Sequence, residues 1–532
     1  MSRQHRDLLL LALGSAVLFG LRLGARDLWN PNEPIYGEAV VEMAQRADWL
    51  LPHVNGLVFA EKPILFFWLA LLASKVMGGV SEAALRLPAC LAGIATVLGT
   101  YVIARPYGGR ARALASSLAA ATLFGLFWNA RCVQMDILVT ASTLWVLIAL
   151  TRVLDHGAKP VPGFVMAGAV AGLGFAAKGP VALICPGLTF GAYLVATRRW
   201  REVTAWPVLA GVTAFVCVAA PWFWSLHAEG QDGVIEEVLF RQNVVRFIHP
   251  WDHQAPWWYF LGSFWVDMAP WAFFVPFAAG VKRRNEGERR LALLSAIWIV
   301  VVVLFFSFSK SKRSPYVLPI APAVALLAGE VAVTWVTGRW DAARRGWLAA
   351  MMSAIGAVFV VAGVTIAVGA LVRLDRTAAV PVAVLGVVAI IAGALVVADV
   401  ARARTRPQAP LSLALATAVI YVAAGGVALP ALNAYKSARP LCEQIERIAG
   451  PEVQISSYGF WKWRSEYRFY LRRPITNLTS PGALREAWTG PRRVVLLVEA
   501  DKLSDVRQVI GEAPPTLAGR VGSAAISVFT NR

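Results

Sequence analysis

Apolar runs of about 17–25 residues recur along most of this chain, and short basic loops separate many of them. No other feature limits the fold so tightly. In lipid a segment must satisfy its own backbone polar groups, which leaves helices or closed barrels. Composition agrees: 58% of residues are hydrophobic, only 16% are charged, and the mean hydropathy is +0.58. A soluble chain would carry about 25% charged residues. The sequence therefore specifies a polytopic membrane protein. Its first run, 8–23, follows Arg3 and Arg6 but has no small-residue cleavage site after it. LRLGARDLW keeps an arginine and a tryptophan at the interface, so the run reads as a retained helix.

The formal net charge is +19. The basic residues cluster in RPYGGRAR (105–112), 152–159, RRWR (198–201), KRRNEGERR (282–290), RWDAARR (339–345) and RARTR (402–406). This is the pattern of cytoplasmic loops rather than of a nucleic-acid surface. With all six loops inside, spanning helices fall near 8–24, 88–104, 113–129, 137–152, 162–177, 180–197, 204–224, 258–280, 291–308, 316–333, 348–371, 380–400 and 411–432. These thirteen put the N-terminus inside and the C-terminus outside. The run 64–77 is short, and if it spanned it would reverse every later loop, so it is expected at the interface or as a re-entrant segment. The stretch 436–532 has ordinary charge density. VQISSYG, RRVVLLVEA and AAISVFTN read as strands, and 440–449 and 501–511 as helices. The expected organisation is an all-α transmembrane domain, 1–435, with an outer loop 25–87, then a small α/β domain, 436–532, on the outer side.

Five polar stretches then lie outside: 27–63, the turn around Arg131 and Asp136, the turn at Lys178-Gly179-Pro180, the loop 225–257, and SKSKRSPY (309–316). The segment 27–63 concentrates Glu33, Glu38, Glu42, Asp48 and Glu61, followed by Lys62, in a chain with 32 acids in total. A carboxylate beside hydrocarbon is paired or functional, because burying it bare costs several kcal/mol. Lys178 reads either as a snorkelling lysine or as an anion clamp. The outward placement of Lys310, Lys312 and Arg313 favours the second reading there, since outer loops are poor in basic residues. Carboxylates for acid–base work and cations for phosphate charge fit a lipid-linked phosphate substrate at the bilayer edge. There is no P-loop and no dinucleotide fingerprint. The tryptophans of 225–257 read as an interfacial belt. Its histidines, His227, His249 and His253, lack ligand spacing, as do Cys90, Cys132, Cys185, Cys217 and Cys442, which read as unpaired thiols.

W-N-P-N-E-P-x-Y-x-E, D-W-L-x-P-x-x-N-G and E-K-P, in that order, resemble the first outer loop of the GT-C membrane glycosyltransferases. The nearest likeness is to the superfamily of aminoarabinose (lipid A) transferases and protein O-mannosyltransferases. R-C-V-Q-M-D, A-K-G-P, N-V-V-R-F, S-K-S-K-R-S-P-Y-V-L-P and S-Y-G-F-W-K-W agree with it. The likeness implies inverting transfer of a sugar from a polyprenyl-phosphate donor to an envelope acceptor (a lipid A-like lipid, a glycan or a protein). The reaction would take place at the periplasmic face of a bacterial inner membrane.

Carried over by residue, the resemblance implies catalytic positions at Asn32, Glu33 and Asp136. It implies donor-phosphate contacts at Tyr36, Lys62, Lys178, Arg246 and Tyr316, and a further substrate contact at Glu61. The family's acidic pair is usually Asp-Glu, and here it is Asn32-Glu33. An amide cannot accept the acceptor's proton, so three readings stand: Glu33 or Asp136 is the base, the acceptor is already ionised, or the protein binds the lipid without transfer. A non-catalytic scaffold is the main alternative. A lipid transporter is weaker, because no internal repeat is visible. No DxD pattern points to a cofactor metal, although a divalent ion at the carboxylates stays open.

Overall fold

A computed structural model describes residues 2–402, 407–450, 452–460 and 464–531. Residues 403–406 of the last basic loop and 461–463 of SYGFWKW lie outside the described residues. The chain forms two compact units. One comprises Met1–Leu23, Ala60–Leu69 and Arg86–Ala428; the other comprises Gly24–Phe59, Ala70–Leu85 and Leu429–Arg532. The second unit thus takes in most of the first polar segment together with the tail.

The first unit is a helical, multi-pass membrane body. All thirteen apolar stretches carry helix. Among the described residues nine helices are long and apolar enough to cross a membrane. A tenth is added if Tyr259–Asp267 and Trp271–Gly280, bent by 104°, form one span. The difference from thirteen has identifiable causes. The helix of the first run, Arg3–Gly20, carries Arg3, Arg6 and Asp7, and Val181–Thr197 is short. The expected spans 88–104 and 113–129 fall together on Glu82–Ala121 and Phe124–Ala130. A straight 40-residue helix would be about 60 Å long, twice the hydrocarbon thickness. It breaks at Gly109, whose φ of 74° and ψ of −175° are open to glycine. Leu65–Val76, at 12 residues and about 18 Å, is too short to span, in keeping with the short run at 64–77.

Packing uses glycine where helices touch. A Cβ placed on Gly168 of Pro160–Lys178 would lie 1.9 Å from the carbonyl oxygen of Gly211 on Ala205–Ala228. Gly393 approaches Gly356 in the same way, with 2.3 Å for the corresponding distance. Close backbone approach of this kind is how apolar helices gain van der Waals contact where lipid removes the hydrophobic drive.

Polar groups gather at both ends of Asp136–His156. At its C-terminal end the Asp155 carboxylate accepts from Tyr107 (2.6 Å), Tyr193 (3.0 Å), Arg199 (2.6 Å) and Arg290 (3.2 Å). Nearby chemistry is similar at Glu330, which binds Arg112 (3.3 Å) and Arg283 (2.9 Å). Three of the six basic loops therefore send arginines to two buried carboxylates, one of which, Asp155, lies in a fourth. Asp136, at the other end, is about 28 Å away along the helix, close to the depth of a bilayer core.

The stretch 225–257, expected as a loop, is largely helical. Asp232–Glu236 runs into a π-helix, Glu237–Val245, and then Arg246–Ile248. Its apolar residues are spaced irregularly for a 3.6-residue period, which is why sequence periodicity passed over it.

In the second unit, Asn32–Arg46 is followed by a short hairpin of β1 (His53–Val54) and β2 (Leu57–Val58). Asn55 and Gly56 connect them with φ of 54° and 77°, the two positive values a type I′ turn requires, which is why Asn-Gly stands there. The tail folds as a five-stranded sheet in the order β4-β3-β5-β7-β6, with β3 Gln454–Tyr458, β4 Thr476–Leu478, β5 Val494–Glu499, β6 Leu517–Val521 and β7 Ala524–Thr530. β3 is parallel to β4 and β5, and β7 is antiparallel to β5 and β6. Central strand β5 is buried on both faces. Val495 and Leu497 enter one core with Ile445 and Tyr467, while Val494, Leu496 and Val498 enter the other with Leu484 and Val506.

Candidate functional site

The acids of 27–63 separate by partner. In the second unit, Glu33 is 6% exposed and is gripped by Arg26 through both carboxylate oxygens, at 3.0 and 2.7 Å. Glu38 and Glu42 share one guanidinium, that of Arg468, at 2.7 and 3.0 Å. They also accept the backbone N–H groups of Asn55 and Gly56 at 2.9 and 3.1 Å, so they anchor the hairpin turn. Two carboxylates on one guanidinium cannot both be neutralised, and burial pushes the Glu38 carboxyl up to about 7. Asp48 accepts the N–H groups of Leu50 and Leu51. Asn32 opens its helix, and Tyr36, buried, packs edge-on against Phe59 at 6.1 Å.

Glu61, the last acid of the segment, belongs to the first unit. Of the five it alone makes no side-chain hydrogen bond or ion pair among the described residues. Lys62 beside it is half-buried and donates to the Glu61 carbonyl oxygen at 2.9 Å. Burial lowers the Lys62 ammonium to about 8. Glu61 opposes the fall, and Arg246, Lys178 and Arg313 add to it. Those three cations and Lys62 therefore share one electrostatic neighbourhood.

Separate elements deliver them. Asp136 begins its helix, and Lys178 ends Pro160–Lys178. Lys178 Nζ is paired with Asp136 Oδ1, whose other oxygen accepts from Gln134 at 2.9 Å. The ammonium of Lys178 lies 5.1 Å from the Tyr316 ring centroid. Gly179, with φ of 79°, ends the helix, and a Cβ there would lie 3.5 Å from Asn243, so A-K-G-P and N-V-V-R-F meet at a glycine. Arg246 follows the π-helix, a distortion frequent at functional sites. Its guanidinium binds both oxygens of Asp252 at 2.8 Å and faces Trp251 at 5.6 Å.

Backbone pairing holds the last motif against this loop. Lys310 N–H donates to Phe247 (3.1 Å), Lys312 N–H donates to His253 (2.9 Å), and Gln254 bridges Ser311. Ser314 donates to Asp267 at 2.6 Å just before Tyr316. Arg131 of R-C-V-Q-M-D has a fastening role instead. It donates to the carbonyls of Phe19 (2.8 Å), Leu21 (3.0 Å) and Gly425 (3.2 Å).

Glu61, Lys62, Asp136, Lys178, Arg246 and Tyr316 thus lie in one unit, and Asn32, Glu33 and Tyr36 in the other. Two partners escaped the sequence reading, and a third residue was singled out only as one of a cluster. Asp252, Gln134 and the uncommitted Arg313 matter through contacts or their absence, and only Arg313 left a trace, as part of an outward basic cluster. Among the described residues no three His, Cys, Asp or Glu side chains gather as around a metal ion.

Residues 61–224 match the family model described as dolichyl-phosphate-mannose-protein mannosyltransferase. Over 343 residues the chain is 32% identical to the undecaprenyl phosphate-alpha-4-amino-4-deoxy-L-arabinose arabinosyl transferase of Pseudomonas aeruginosa, covering 62% of this chain and 60% of that protein. The enzyme of the same name from Aeromonas hydrophila is 28% identical over 319 residues, covering 59% and 57%. The matched region spans about three fifths of these curated relatives. The crystal structure of ArnT from Cupriavidus metallidurans bound to undecaprenyl phosphate superposes over 100% of this chain and 99% of its own, with a TM-score of 0.79 at 22% identity. The archaeal oligosaccharyltransferase AglB from Archaeoglobus fulgidus, in complex with an inhibitory peptide and a dolichol-phosphate, shares the fold more distantly. Its TM-score is 0.51 at 14% identity, over 93% of this chain and 69% of that one. The chain is thus similar in sequence to the aminoarabinose transferases over about three fifths of its length, matches the mannosyltransferase family model over 61–224, and shares the fold of ArnT.

Proposed function

We propose that this protein transfers a sugar from a polyprenyl-phosphate donor to an envelope acceptor, with inversion, at the periplasmic face of a bacterial inner membrane. The observation that carries the proposal is the cation cluster of Lys62, Lys178 and Arg246 beside Asp136 and Glu61 at one end of the membrane helices. The relatives named as undecaprenyl phosphate aminoarabinose transferases, and a fold neighbour binding undecaprenyl phosphate, support the donor class. The basic loops closing on Asp155 and Glu330 at the far end support a periplasmic site, since such loops stay in the cytoplasm.

In this mechanism the acceptor oxygen attacks the anomeric carbon from the face opposite the phosphate. The bond from that carbon to the phosphate oxygen breaks, and its electron pair leaves with the polyprenyl phosphate. Lys62, Lys178 and Arg246 meet the leaving charge in a water-poor site, the largest contribution expected. Glu61, whose carboxylate is uncommitted, takes the acceptor's proton, and Asp136 holds Lys178 in place. Glu33 would first have to leave Arg26 to act as a base. Asn32 and Tyr36 enter the proposal through the family resemblance.

The test is transfer from a panel of polyprenyl-phosphate sugars, by full-length protein in nanodiscs, to a bacterial envelope extract. Transfer that Lys178→Ala abolishes while the fold persists supports the proposal. Tight lipid-phosphate binding without donor consumption would instead support a non-catalytic binder, the reading that Asn32 favours.

A further inference from the structure

Each cation of the cluster but one is already committed. Lys178 is paired with Asp136, Arg246 is held by both oxygens of Asp252, and the Lys62 ammonium donates to the Glu61 carbonyl oxygen. Arg313 is half-buried and has no carboxylate and no side-chain hydrogen bond among the described residues. Its backbone is well fixed. Lys312 before it donates to His253, Ser311 bridges Gln254, and the Arg313 carbonyl accepts from Tyr316, whose ring lies under Lys178. An arginine held among like charges with no counter-ion is costly unless an anion completes it.

We propose that Arg313 is a further catalytic residue, which contacts the donor phosphate and takes up the negative charge that develops on it as the sugar leaves. This rests on the donor class proposed above. A glycosyl phosphodiester carries one negative charge, and the released polyprenyl phosphate carries up to two. The second charge appears only as the bond from the anomeric carbon to oxygen breaks and the electron pair stays on the phosphate. A cation left over in the donor complex gains its full counter-charge in the transition state, and an interaction stronger there than in the ground state raises kcat rather than lowering KM. Arg313 also lies within electrostatic reach of Lys62, His253 and Tyr259.

The experiment compares wild type, Arg313→Gln and Arg313→Lys as full-length protein in nanodiscs. The probes are polyprenyl phosphate and a polyprenyl-phosphate sugar, with binding measured from pH 5.5 to 7.5 and turnover at pH 7. The second ionisation of a phosphate lies near pH 6, so wild type is expected to bind polyprenyl phosphate more tightly as pH rises through about 6. Arg313→Gln is expected to flatten that rise, to leave donor affinity within about threefold, and to lower kcat on the order of 10- to 100-fold. These factors are those of one lost charge-assisted hydrogen bond. Arg313→Lys should recover part of each.

Titratable or charged neighbours are Glu61, Lys62, Asp136, Lys178, Arg246, Asp252, His253 and Tyr259. His253 is lowered first by burial and then by Arg313, so the profile is repeated in a His253→Gln background. If Arg313→Gln weakens donor and polyprenyl phosphate equally with kcat unchanged, or if the pH rise persists, the proposal is overturned. If wild type binds neither lipid, the donor class itself fails, which is a distinguishable result.

Discussion

Replacing Arg468 with Met should loosen the hairpin of the first polar segment from the tail domain while leaving both sheet cores intact. Arg468 binds Glu38 at 2.7 Å, Glu42 at 3.0 Å and Asn55 Oδ1 at 2.5 Å, and the two carboxylate side chains are 1% and 2% exposed. Removing one partner of a buried ion pair strands charge in low dielectric and costs about 3–5 kcal/mol. At about 1.4 kcal/mol per tenfold, the amides of Asn55 and Gly56 should exchange with solvent on the order of 10²- to 10³-fold faster. The readout is hydrogen exchange by mass spectrometry on full-length protein in nanodiscs, comparing peptides from 36–59 with peptides from β5. The pH dependence has a definite sign. Glu38 has a folded pKa raised by burial to about 7, above the ordinary carboxylate value, so its stabilising contribution is complete below the unfolded value and fades as pH rises through about 7. The variant's defect should therefore shrink toward pH 5, and Glu38→Gln should rescue part of it. Unchanged exchange in 36–59 at pH 7, or a defect that grows on acidification, would mean that Arg468 does not hold the hairpin through these carboxylates.

Three further outcomes follow from the geometry. Gly168→Leu places a side chain where a Cβ would already lie 1.9 Å from the Gly211 carbonyl oxygen, so Pro160–Lys178 and Ala205–Ala228 must part. The thermal unfolding midpoint in detergent should fall by several degrees or expression should collapse, while Gly187→Leu, where a Cβ meets nothing within 4 Å, should be tolerated. The Lys62 ammonium, lowered to about 8, loses its charge as pH rises through that value, so affinity for polyprenyl phosphate should weaken up to tenfold per pH unit above about 8, and Lys62→Arg should move that limb upward. Glu61→Gln should reduce kcat on the order of 10²- to 10⁴-fold as a lost base, with lipid-phosphate affinity unchanged or improved, whereas Glu33→Gln should lower stability because it loosens the Arg26 clamp.

The membrane body was legible in the sequence because lipid enforces helices and the basic loops mark their ends. RRWR and KRRNEGERR both send an arginine to Asp155, a convergence that charge counting could anticipate only as a shared side. Strands β3, β5 and β7 announced themselves by continuous or alternating apolar residues. The short β4 and the half-exposed β6 did not. Within the polar segment the residues themselves gave no pairing to Glu33, Glu38, Glu42, Asp48 or Glu61, and only the family resemblance singled out Glu33 and Glu61. Which were structural depended on Arg26 and Arg468, the second more than 400 positions away, and a one-dimensional pattern carries no such pairing. The π-helix before Arg246 was hidden for a related reason, since a five-residue hydrogen-bond step leaves no simple apolar period. Asp252 and Gln134 were passed over because neither lies on an apolar face or in a charge cluster.

In the proposed function Lys62, Lys178 and Arg246 together hold a lipid-linked phosphate. The most direct test is a structure of the full-length protein with polyprenyl phosphate bound. The phosphate is expected in hydrogen-bond contact with Lys62 and Lys178, with Arg246 in direct reach and the Lys178–Asp136 pair lengthened as the ammonium turns to the anion. A phosphate bound away from these three side chains, with that pair and the Arg246–Asp252 pair undisturbed, would contradict it.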